Sequence, residues 1–158
     1  MSKTTRRENE RVVRRFGADI LASPGMQRER QFMQHGSVSV YAHSLAVAVM
    51  CVAIARRLPL RFDTAALVRG ALLHDYFLYD WHDPDPSHRL HAFHHGERAA
   101  QNAERDIGIG RIERNMIRAH MFPLVPVVPR YRESLVLYVA DKLCAVRETF
   151  CRRRPSKL

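Results

Sequence analysis

The chain has 158 residues, a formal net charge of +10 and an ordinary globular balance of apolar and charged side chains, which excludes wholesale disorder and allows one domain with a substantial core. Its longest strongly apolar run, Leu45 to Ala55, is too short for a bilayer span of roughly 20 residues, and the opening MSKTTRRENERVVRRF has no apolar signal segment, so neither membrane insertion nor signal-directed secretion is expected. The charge sits at the ends: residues 1–15 carry six basic and two acidic groups and residues 147–158 carry five and one, while the body between has no basic stripe interleaved with aromatics, so a nucleic-acid partner is not expected.

In chain order, helical patterns recur and strict period-two alternation is absent, so no strand is expected. The first helix runs from about Thr4 to Leu21 and stops near Ser23-Pro24-Gly25. A short helix from about Met26 to Gln34 ends at His35-Gly36, and Ser37 caps a long helix reaching about Arg57. That long helix is apolar on nearly all sides over Leu45–Ala55, which places it at the centre of a domain. LPLRFD breaks the chain, and Asp63 caps a helix from Thr64 to about Asp75. An irregular segment from Tyr76 to Arg89 holds Pro84 and Pro86. Helices come next over 95–106 and 109–121, then the proline-punctuated FPLVPVVPR, a last helix from about Tyr131 to Phe150, and a basic tail at 151–158. The fold class expected is all-α, a single orthogonal bundle of six or seven helices.

Three cysteines, Cys51, Cys144 and Cys151, are odd in number and in no ligand-like spacing, which suits a reducing cytoplasm with Cys51 and Cys144 as small core residues. Nine histidines all lie between His35 and His120, a clustering that points to metal or acid–base chemistry. Asp141 falls on the buried stripe of the last helix, among Leu137, Tyr138, Cys144 and Ala145. A buried carboxylate must be protonated, paired or bound to a cation. His43 opens the central helix beside Val40, Ala46 and Val47, and His74 comes after Leu67 and Ala71 at helical spacing, so both face inward. Asp75 projects about 100° away at the same helix end. For each lone residue the alternative is a hydrogen-bonded core group, and for Asp141 an arginine partner. Mixed nitrogen and oxygen donors suit manganese, iron, cobalt or magnesium.

His43, the doublet His74-Asp75 and the distant Asp141, set in QHGSVSVYAHSLAVA, GALLHD and YVADKLCAV, resemble the ordered H…HD…D signature of the HD-domain superfamily. The spacings are 31 residues from His43 to His74 and 66 from Asp75 to Asp141, and the resemblance covers Gln31 to Arg147. It implies an all-α bundle holding a divalent metal on His43, His74, Asp75 and Asp141, with His74 and Asp75 at the catalytic centre, for phosphohydrolase chemistry on a small phosphorylated compound or nucleotide. It also implies a second ion on His95 and His120, with His91 next in line and Asp75 as the bridge. A role in supporting the ligands or binding phosphate remains open for His95 and His120, and His94 is read as facing solvent.

The sequence departs from many HD phosphodiesterases in having no lysine shortly after the doublet, which argues against simple transfer of cyclic-dinucleotide phosphodiesterase activity. Asp80 and His82 occupy that neighbourhood and are candidates to complete the site or contact substrate. Phe77 and Trp81 are read as packing, and Lys142 as either a snorkelling surface residue or a phosphate contact. His35 either caps a helix or reaches the site mouth, and Arg56, Arg57 and Arg61 form a solvated face. Two other functions fit the same residues: a metal-loaded regulatory module without turnover, and a di-iron oxygenase. Self-association is left open.

Overall fold

The computed structural model describes residues 3–35, 38–79 and 91–151, with the side chains of His35, His91 and Cys151 outside that description. Seven helices form among the described residues: α1 (Lys3–Ala22), α2 (Pro24–Arg28), α3 (Val40–Ala55), α4 (Thr64–Leu73), α5 (His91–Asp106), α6 (Arg111–Ala119) and α7 (Arg132–Cys151). A two-stranded antiparallel sheet joins β1 (Met33–His35) to β2 (Val38–Ser39). The fold is all-α with this small sheet as its only extended part among the described residues. No helix of the described residues is long and apolar enough to cross a membrane.

α1 buries Asn9, Val13, Gly17 and Ile20, a stripe at spacings of four, four and three, and turns its arginines outward. It ends where Ser23 Oγ accepts the Met26 amide and Pro24 opens α2. The helix expected from Met26 to Gln34 is not formed: α2 stops at Arg28, and a hairpin takes its place. The reason is non-local pairing. The Glu29 carbonyl accepts the Tyr41 amide, the Glu29 carboxylate accepts the Leu78 amide at 3.1 Å, and the Gln34 amide donates to Asp75 at 2.6 Å. These bonds override local helix propensity. With strands of three and two residues, the sheet is too short to show an alternation in sequence.

The same hairpin delays α3. Ser39, not Ser37, is its N-cap, because residues 38–39 are committed to β2. α3 then lies buried at the centre, packed by α4, α7 and α1, while α6 packs against α4, α5 and α7. Asp63 caps α4 through the Ala66 amide at 2.9 Å, as its position predicts. α5 begins earlier than residue 95 and closes on Gly108, whose positive φ of 72° lets its amide return to the Ala103 carbonyl.

Tyr76, directly after the His-Asp doublet, is sealed against α2. A Cβ added to Gly25 would fall 2.5 Å from Tyr76 Cζ, and the ring is held by its hydroxyl donating to Asp106 at 3.3 Å. Gly25→Ala should therefore cost about 1–3 kcal/mol of stability through overpacking, despite alanine's better helix propensity. Urea unfolding of both proteins measures it, and an unchanged midpoint would contradict the close approach.

Candidate metal centre

Five helices each bring one end or one turn to the same point. His43 lies in the first turn of α3, His74 caps the C-terminus of α4 with Asp75 just beyond, and His95 lies on α5. His120 caps the C-terminus of α6, and Asp141 sits in the middle of α7. All six side chains are buried. Their donor atoms form two groups, His43, His74 and Asp141, and Asp75, His95 and His120, each with atoms within 4.8 Å of one another.

One local device aims two of the imidazoles. His74 Nδ1 lies 2.8 Å from the Ala71 carbonyl, and His120 Nδ1 lies 2.6 Å from the Ile117 carbonyl. Each carbonyl is three residues back, at a helix end where it needs a donor. A carbonyl only accepts, so Nδ1 carries the proton and Nε2 is turned inward. His43 is aimed by charge instead: its Nδ1 donates to Glu148, with both carboxylate oxygens at 2.9 and 3.1 Å. Its Nε2 then faces Asp141 Oδ1 at 3.1 Å and Asp75 Oδ2 at 3.8 Å.

Asp75 lies between the two groups. Its Oδ2 is 3.1 Å from His74 Nε2, and its Oδ1 is 3.4 Å from His95 Nε2 and 3.5 Å from His120 Nε2. None of these approaches has hydrogen-bond alignment, so His74 Nε2 and Asp75 Oδ1 are buried without a hydrogen-bond partner among the described residues. Burial of such atoms carries a cost that a cation would offset.

Proton affinities in the site are set by mutual charge. Burial opposes a positive His43, but the hydrogen bonds to Asp141 and Glu148 outweigh it and raise its pKa to about 10. His74 is also raised, because Asp75 overcomes burial. Burial and the adjacent His95 push His120 down to about 3. Burial raises both Asp75 and Asp141, yet the surrounding imidazoles pull each below the ordinary carboxylate range. The protein thus holds protons where a divalent ion would place its charge. Four imidazoles and two carboxylates, three of the imidazoles anchored at Nδ1 and the fourth with His95 Nε2 2.8 Å from His120 Nε2, fit one ion or two of the borderline divalent metals.

Around this cluster, Lys142 Nζ is half-exposed at the rim, 2.8 Å from Asp141 Oδ2 and 3.4 Å from the His120 carbonyl. Asp80, His82 and Trp81 lie outside the described residues, as does the side chain of His91. His94 is exposed, and Phe77 is buried with its ring perpendicular to that of His95. Arg56 reaches from the surface to the buried Asn9 at 2.8 Å and pairs with the exposed Glu8. Cys51 and Cys144 are buried free thiols.

Three further residues serve the site without being expected from sequence. Glu148 stands seven residues after Asp141 on the same stripe of α7, a spacing that carried the signal. Gln34 and Glu29 belong to the hairpin region, and no local pattern marks them. Glu29 is buried, with Oε2 unpartnered among the described residues.

The HD domain family model matches residues 40–146, a span that contains all six clustered histidines and aspartates. Comparison with curated proteins and with solved structures gave no match.

The geometry makes Glu148 and Glu29 testable. Glu148→Gln should lower metal affinity about 10- to 100-fold by loosening His43, and should also lower the metal-free melting temperature at neutral pH, where Glu148 helps keep the buried His43 charged, as titration calorimetry and thermal unfolding will show. Glu29 is pushed up to about 8 by burial, despite the Leu78 hydrogen bond. Above about 4.5 the unfolded chain gives up this proton before the folded one does, so the group subtracts stability as pH rises toward about 8. Glu29→Gln should be more stable than the parent near pH 8 and lose that advantage near pH 4.5. A constant difference across this range would count against a protonated Glu29.

Proposed function

The chain belongs to the HD domain family, and from that premise we propose that it is a metal-dependent phosphohydrolase acting on a small phosphorylated compound such as a nucleotide. The observation that carries the reading is the Asp75 carboxylate placed among four inward imidazole nitrogens with one oxygen left without a hydrogen bond. His43, His74 and Asp141 would hold one divalent ion, and His95 and His120 a second, with Asp75 shared between them. When bound, such an ion supplies Lewis acidity that lowers the pKa of water and neutralises charge on phosphoryl oxygens.

The chain's own residues do the rest. His74 and His120 keep their protons on Nδ1, which turns the lone pair of each Nε2 toward the site. Asp75 Oδ1, buried without a hydrogen-bond partner among the described residues, would accept a hydrogen bond from the attacking water in a one-ion site, and the Asp75 carboxylate would help hold both ions in a two-ion site. Lys142 stands at the rim, where its ammonium group can pair with a phosphoryl oxygen as well as with Asp141. Burial of the cluster limits what reaches it to small substrates or the tip of larger ones. The reduced thiols of Cys51 and Cys144 agree with a cytoplasmic location.

Elemental analysis followed by a phosphoester panel with manganese, cobalt or magnesium tests this. Phosphate release should depend on the metal and fall by at least about 10³-fold in His74→Ala and Asp75→Ala. A metal-loaded protein inert across the panel would instead be a regulatory module, and tightly held iron with dioxygen consumption would make it an oxygenase. Metal at 100 times its Kd should add about 2.7 kcal/mol of stability, a gain that Asp141→Ala and His43→Ala should largely lose. Equal destabilisation of the metal-free and loaded forms would mean these side chains serve packing alone.

A further inference from the structure

Besides the ligand atoms, two side-chain oxygens are buried without a hydrogen-bond partner among the described residues: Glu29 Oε2 and Gln34 Oε1. They come from one stretch of chain, Glu29 at the end of α2 and Gln34 in β1, and both side chains reach the same four residues, Asp75 to Leu78. Glu29 Oε1 accepts the Leu78 amide at 3.1 Å, at a residue whose φ of 62° is in the left-handed region. Gln34 Nε2 donates to Asp75 Oδ2 at 2.6 Å.

Burial decides the state of Glu29. It is 1% exposed, accepts one hydrogen bond and pairs with no basic side chain among the described residues. The charges near it oppose one another: Asp75, beyond α4, disfavours a second anion, and Arg28, on α2, favours one. The Tyr76 phenol, pushed up to about 12 chiefly by burial, stays neutral. Burial therefore keeps Glu29 protonated up to about 8. A neutral carboxyl has one carbonyl oxygen and one hydroxyl. Oε1, which accepts the Leu78 amide, is the carbonyl, so the proton is on Oε2, and a buried hydroxyl needs an acceptor. Gln34 Oε1 is an acceptor that needs a donor. One hydrogen bond satisfies both.

That bond also settles which way round the Gln34 amide is turned. A carboxamide can present either its oxygen or its nitrogen, and the choice follows from its neighbours. With a hydroxyl at Glu29, the oxygen turns to Glu29 and Nε2 is left for Asp75. An ionised Glu29 would draw Nε2 to itself and set Gln34 Oε1 against Asp75 Oδ2, two acceptors facing each other. Asp75 Oδ2 lies toward His74 and His43, and Oδ1 lies toward His95 and His120. Fixing Oδ2 therefore fixes how the carboxylate is shared between the two groups.

We propose that Glu29 and Gln34 act as one positioning unit for the metal centre: the Glu29 hydroxyl donates to Gln34 Oε1, and Gln34 Nε2, oriented by that bond, sets the Asp75 carboxylate. The inference rests on the reading of Asp75 as a shared metal ligand, and not on the substrate or the reaction.

In metal-free protein near neutral pH, difference infrared spectra against Glu29→Gln should show the carbonyl band of one protonated carboxylic acid. The band should vanish as pH rises through about 8, and the side-chain amide signals of Gln34 in NMR spectra should shift with the same midpoint. Absence of the band, or a Gln34 amide that does not follow it, overturns the proposal. Titration with cobalt or manganese supplies the functional arm. Glu29→Met and Gln34→Met should each lower metal affinity about 10- to 100-fold. Glu29→Gln, whose amide still accepts from Leu78 and donates to Gln34, should regain most of what Glu29→Met loses. The double variant Glu29→Met with Gln34→Met should lose no more than Gln34→Met alone, and losses that add overturn the coupling. A parent that binds no metal fails the reading of Asp75 and the proposal with it. A parent that binds metal no better than Gln34→Met does fails the proposal alone.

Discussion

Asp75 is a carboxylate withdrawn from water and surrounded by imidazoles contributed by four different helices. Such a group cannot remain both charged and unpaired, so every element near it is arranged around its charge. The hairpin sends Gln34 to one oxygen, the end of α4 holds the backbone, and α5 and α6 present imidazoles to the other oxygen. The centre of the fold is therefore polar, and the apolar core of α3, α4, α6 and α7 encloses it.

The helices solve two problems with one set of atoms. An α-helix ends with carbonyls that lack donors, and a metal-binding imidazole needs its outer nitrogen fixed. At the ends of α4 and α6 each deficit satisfies the other, with Ala71 and Ile117 as the acceptors. His43 is near the start of α3, where no such carbonyl is free, and the carboxylate of Glu148 from α7 takes over. That substitution brings a negative charge, which is why His43 holds its proton so firmly, in contrast to His120.

Much of the site is legible in the sequence because helical period and burial report on each other. His43, His74 and Asp141 each interrupt an apolar stripe, and a polar group on such a stripe has to be explained. His120 stands out in the same way, on the stripe of Met116 and Ile117. The residues that escape are placed by non-local bonds. Glu29 and Gln34 lie in a stretch whose local preferences suit a helix, and only bonds to Tyr41, Leu78 and Asp75 draw it into a hairpin. Glu148 is on the right stripe, but a glutamate near a helix end also suits solvent, and its role depends on α3 lying beside it. The ordering of the six side chains into two groups around one shared aspartate is a matter of distance, to which spacing along the chain is blind.

His74 and His120 each stand at the C-terminal cap of a helix, and the chain changes direction directly after them. The residues next in sequence, Tyr76-Phe77 in one case and Met121-Phe122 in the other, are kept beside the centre by covalent continuity with those caps. The imidazoles at the caps and the residues that border them are thus held by different means, the first by backbone carbonyls and the second by the chain that follows. Changes in the exits from α4 and α6 would alter what borders the centre, while the carbonyl-anchored imidazoles stay as they are.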